Sequence, residues 1–173
     1  MCEAIGTTPS STVAAPVMLK ERPLSFSMPN QRQIPIYAAS LLFPAEESLS
    51  LAGELEIWEG DLARPAAFMS PPFALGDANR YFAIYIPSEA MEPRFRAGER
   101  IILDRVKPAS IGADVLVQLQ DDGALSLWTI GRLSARDCNL ISLTQHRDKV
   151  TASIHRSRIR HIFPAIGMID DDA

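Results

Sequence analysis

The feature that most constrains this fold is a series of short apolar runs, each closed by a turn signal. They are YFAIYIP (81–87), RIILD (100–104), DVLVQLQ (114–120), ALSLWTI (124–130), NLISL (139–143) and RIRHIFPAIGMI (158–169). Their β-branched and aromatic content suits strands packed in a sheet, and Gly and Asp turns at AGE, IGAD and DDG separate them. Asp122 and Gly123 supply the positive φ angles that a tight hairpin reversal needs. The expected class is therefore a compact, mainly β domain. At 173 residues and 47% hydrophobic content, one domain with appendages fits better than two.

Charge and cysteine usage narrow the function classes. A formal charge of −4 gives no general attraction for nucleic acid, whose binders usually carry a basic excess. Cys2 and Cys138 have no second thiol or histidine at ligand spacing, so neither a disulfide framework nor a zinc site is expected. No metal or other cofactor is expected, and two free thiols suit a cytoplasmic protein. The opening MCEAIGTTPSSTVAAPVMLKERP lacks a basic stretch followed by a long apolar core, and no run approaches membrane-spanning length.

Four segments divide the chain. Residues 1–30, rich in Ser, Thr, Pro and Ala, have the composition of a flexible arm, without the paired amphipathic helices of a helix-turn-helix reader. Residues 31–70 read as a linker containing IPIYAASLLFP and SLSLAGELEIW. In the second stretch a strand broken at Gly53 and a short helix both fit Leu49, Leu51, Leu55 and Ile57. Residues 71–169 hold the β domain, and 170–173 form an acidic tail. RPAAFMSPPFALGDANR, with Pro65, Pro71, Pro72 and Gly76, reads as a loop whose Phe68, Met69, Phe73 and Leu75 pack on the domain.

The order of these pieces resembles the C-terminal domain of LexA-type and phage repressors, the serine-lysine self-cleaving family. In that family an apolar strand enters a G-D-S-M-x-P motif, then a G-D/E turn and a further strand; the matching run is YFAIYIPSEAMEPRFRAGERIILD. IGADVLVQL, DDGALSLW and IGRL (130–133) match the later turn, hairpin and strand end, and IPIYAAS is similar to the cleavage-site region. The resemblance spans roughly residues 31–168. It implies the family's β fold, homodimerisation, transcription regulation and a place in the SOS response.

The family's chemistry requires a serine hydroxyl and a lysine kept neutral by burial. The matching positions hold Ala90 and Gly131, with Thr129 or Trp128 in place of Gly131 if the hairpin gap is drawn differently, so hydroxyl and amine are both missing. Losing one member of such a unit costs on the order of a million-fold, and losing the second costs little more. The scissile Ala-Gly pair matches Leu42-Phe43, two large residues, with Ala38-Ala39 as an alternative small pair. The resemblance thus implies a pseudo-peptidase: a non-catalytic module for self-association or for binding a repressor or other regulatory protein. Ser88, two residues before Ala90, is the alternative nucleophile for a residual peptidase, although a short polar residue at a strand end is commonly a turn former. A further alternative is a polymerase partner like the SOS mutagenesis accessory protein, whose family keeps both catalytic residues.

Met91, Pro93, Phe95 and Gly98 read as scaffold, and Glu89 as a surface acid. His146, His155 and His161 are scattered without ligand spacing. HRDKVTASIHRSRIRH carries a local basic excess, with Arg156, Arg158 and Arg160 expected on one strand face. A solvated face is the expectation there, since no aromatics interleave and direct DNA binding is disfavoured.

Overall fold

The computed structural model describes residues 33–41, 54–72, 75–120 and 126–170. The expected arm, Leu42-Phe43, residues 49–53, Phe73 and the Asp122-Gly123 turn lie outside them. The described residues form eleven strands: β1 (Ile34–Tyr37), β2 (Ala39–Leu41), β3 (Trp58–Gly60), β4 (Ala67–Met69), β5 (Tyr81–Tyr85), β6 (Arg100–Asp104), β7 (Asp114–Leu119), β8 (Ser126–Arg136), β9 (Leu140–Thr144), β10 (Thr151–His155) and β11 (Ile159–Ile169). Two 3-10 turns, Ala78–Arg80 and Arg156–Arg158, complete the elements. The class is mainly β, and no described helix is long and apolar enough to cross a membrane.

One mixed sheet runs in the order β10-β9-β8-β7-β11-β6-β5-β1-β4, with β3 joined to β8 and β2 to β3. Among these pairs β1 and β5 run parallel and the others antiparallel. The 31–70 stretch thus contributes four strands. Its RPAAFM portion, expected as loop, contains β4, because Ile34 and Pro35 of β1 pair with Met69 and Phe68. Proline at an edge position removes no interior ladder bond, so Pro65, Pro71 and Pro72 punctuate β4 without forbidding it.

Continuous apolar runs such as RIILD are explained by burial on both faces. Phe82 and Ile84 of β5 and Ile101 and Leu103 of β6 enter a core with Trp58, Leu116, Trp128, Ile130 and Phe163. The alternate residues Ala83 and Ile102 meet Ile34 and Ile36 on the other face. Val115, Val117, Leu127, Leu133, Ile141 and Leu143 make a third cluster behind β7, β8 and β9. Gly60 admits the Trp128 ring: a Cβ there would stand 2.8 Å from it and 2.9 Å from the Ala38 carbonyl.

Strand β8 is shared between two partners along one edge. Its first half pairs with β3, through Trp58 opposite Trp128, and its second half with β9, through Arg132 opposite Thr144. Both lie on the edge opposite β7, so the ladder has a gap near residues 129–131. Side chains fill it. Thr129 Oγ1 donates to the Glu56 carbonyl at 2.8 Å, Gln145 Nε2 donates to the Ile130 carbonyl at 3.1 Å, and the Glu56 amide donates to Gln145 Oε1 at 3.1 Å. Thr129 and Gln145 are buried, so these bonds satisfy backbone groups that water does not reach.

Candidate functional site

The site begins where β5 ends. The Ile86 amide donates to the Glu99 carbonyl at 2.9 Å and the Gly98 amide to Ile86 at 2.8 Å, which closes residues 87–97 into a loop over the core. Gly98, at φ 89°, makes the reversal that a side chain would strain. Within the loop the Glu92 amide donates to Glu89 and the Phe95 amide to Met91, winding a turn that buries Met91 and Phe95 beside Ile86. Ala90 stands at the start of this turn and is 6% exposed.

Ser88 is also buried, and its Oγ accepts from the Ala90 amide at 3.4 Å. That is a local turn contact of the kind short hydroxyls make. Among the described residues no base hydrogen-bonds to Ser88. Among the described residues neither Lys107 nor Lys149, the latter at φ 54°, hydrogen-bonds Ser88.

The rim is held by ion pairs. The Arg147 amide donates to the Ala90 carbonyl at 3.0 Å, and its guanidinium pairs with Glu89. Arg94 pairs with Asp114 at 3.1 Å, and Asp114 also meets His146 Nε2 at 3.4 Å. The His146–Asp114 pair is a contact that spacing does not reveal, since 32 residues separate its members. No hydroxyl among the described residues bonds that imidazole.

Gly131 lies at the β8 gap, opposite Val115 and on the face that carries Leu127 and Leu133. A Cβ there would come 3.0 Å from Leu143 Cβ and 3.3 Å from the Thr144 carbonyl, closer than ordinary contacts. Positions 90 and 131 therefore meet one short segment: Gly131 abuts Thr144, and Ala90 is bonded by Arg147 three residues later. Between them stands Gln145, which fills the gap and which composition gave no reason to single out.

Of the small pair considered for cleavage, Ala38 is exposed and Ala39 is half-buried, where the chain passes from β1 to β2. The expectation that Arg156, Arg158 and Arg160 share a strand face is corrected. Arg156 and Arg158 lie in a 3-10 turn, capped by His155 Nδ1 accepting from the Ser157 amide, and only Arg160 is on β11. His161 stacks on Phe163 with ring centroids 5.6 Å apart. Among the described residues no three His, Cys, Asp or Glu side chains are placed to hold a metal.

Asp104 carries the largest resolved electrostatic perturbation. Burial raises its pKa, but hydrogen bonds from Arg80 and from the Lys107 and Val106 amides outweigh burial and hold it at about 2. Arg80 Nη2 reaches Asp104 Oδ2 at 2.7 Å and its Nε reaches Oδ1 at 2.9 Å. A carboxylate that ties the Ala78–Arg80 turn to the turn at the end of β6 is a structural clamp, not a poised acid.

The fold is mainly β, with a tied loop over the core in which Ala90 is buried. Comparison adds one relative: the chain is 28% identical over 103 residues to Repressor protein C of Rhizobium phage 16-3. The match covers 57% of this chain and 39% of that repressor, so the chain spans well under two thirds of its relative. No family model matches the chain.

Proposed function

We propose that this chain is a repressor-like regulatory module that has lost self-cleavage and acts by self-association or by binding a protein partner in phage or bacterial transcription control. The observation that carries the proposal is Gly131, where even a Cβ would stand 3.0 Å from Leu143 Cβ and 3.3 Å from the Thr144 carbonyl, so a lysine there requires its neighbours to give way. This crowding adds to the absence of the amine from the sequence. Ala90 at the nucleophile position and the turn-bonded Ser88 favour the same reading. The likeness to a protein named a repressor supports the regulatory setting.

The scaffold around the empty seat is retained: Met91 and Phe95 remain packed and the loop is tied at both ends. Function then falls to surfaces, and sheet edges such as β10 are natural pairing sites. Sedimentation equilibrium of the chain across a concentration series, alone and mixed with full-length Repressor protein C of Rhizobium phage 16-3, tests this. The expected result is a dimer, or a mixed complex of defined stoichiometry. A monomer under both conditions overturns the self-association and repressor-pairing arms.

A further inference from the structure

We infer that the depression between the Arg105–Ala113 loop, the end of β8 and the start of β11 is a docking site for an acidic peptide segment of a protein partner that also carries an apolar anchor. The inference rests on the binding-module reading and names the surface and its partner's chemistry. The depression is open, about 280 Å³, with Arg136, Arg156, Arg160 and His161 around Pro108 and Ile162. No acidic side chain lines it.

Several arginines meet no carboxylate among the described residues, and three of them line this depression. Arg64, Arg80, Arg94 and Arg147 each meet a carboxylate, whereas among the described residues no carboxylate pairs with Arg136, Arg156 or Arg160. Three such arginines lining one depression, in a chain of net charge −4, make a local field that attracts anions. Asp137 adjoins Arg136 in sequence, but its Oδ1 accepts from the Cys138 amide.

The apolar component favours peptide over nucleic acid. The loop that supplies Pro108 and Ala109 also exposes Val106 at 69% and Ile111 at 65%, while Ile159 and Ile162 line the depression. A duplex backbone has no use for such groups, and no Phe, Tyr or Trp lines the depression to stack on a base. A peptide with carboxylates flanking a leucine satisfies both parts, with planar guanidiniums offering paired donors to each carboxylate. The volume is below the usual range for small-molecule clefts and suits one or two side chains.

Fluorescence anisotropy with a labelled peptide of alternating Glu and Leu, a matched Lys and Leu peptide, and a labelled 20-base-pair duplex tests the site on the full chain. The acidic peptide should bind, and the triple variant R136E/R156E/R160E should weaken it at least about tenfold, since each exposed ion pair contributes up to about fivefold. R64E, a reversal at another exposed arginine, should leave binding unchanged, and circular dichroism should report the same fold for all variants. Equal binding of the triple variant, or no binding of the acidic peptide, overturns the site. Duplex binding lost in the triple variant and steeply salt-dependent, without peptide binding, assigns the surface to nucleic acid instead. Any of these failures leaves the sedimentation result intact, so the two proposals fail separately.

Discussion

At the scale of the residue, two positions decide what the site can do. Restoring the family's pair with A90S/G131K supplies both side chains but forces a Cβ against Leu143 and Thr144. Such overpacking costs on the order of 1–3 kcal/mol. The G131K variant should therefore unfold at lower urea than the natural chain, and the double variant should remain uncleaved; a G131K midpoint equal to the natural one would contradict the steric account. Asp104 makes a second prediction. Its folded pKa of about 2 lies below the reference 3.8, so the unfolded chain binds more protons in acid. Its stabilisation is complete above pH about 4 and is lost as pH falls to about 2, amounting to roughly 2 kcal/mol. Replacing Asp104 with asparagine should lower stability at pH 7 and flatten its decline over that window. An unchanged acid slope would remove Asp104 as its cause.

At the scale of the element, the gap along β8 is the feature that sequence periodicity conveys least. Strand β6 was legible to the residue because RIILD is apolar on both faces and bounded by turn residues. Strand β10 was not, since Thr151–His155 has one buried side chain, Ile154, and otherwise reads as polar loop. The three arginines were misplaced because a three-residue turn, fixed by His155 and Ser157, interrupts an apparently continuous strand. Gln145 bridges positions 89 residues apart at Glu56, a relation no local pattern encodes. Substituting Gln145 with leucine leaves the buried Ile130 carbonyl and Glu56 amide without their partner, at a cost of about 1–3 kcal/mol. Hydrogen exchange at Glu56 should then accelerate; unchanged protection would mean another group closes the gap.

At the scale of the whole molecule, the mainly β class and the strands from β5 onward, β10 excepted, were accessible from turn-punctuated apolar runs, whereas their order in the sheet was not. The joining of β1 to β4 into the same sheet was not, because their pairings are long-range and prolines mask them. The residues of the seat could be named from the family resemblance, whereas the crowding at Gly131 and the ion pairs around Ala90 required three dimensions. Together they fit the proposed non-cleaving module, with basic residues on β8, the Arg156–Arg158 turn and β11. Intact-protein mass spectrometry after incubation at alkaline pH, with and without an activated recombinase filament, tests that description most directly. The account predicts one species at 19.0 kDa under both conditions. A fragment pair cut between residues 38 and 43, abolished by replacing Ser88 with alanine, would contradict it.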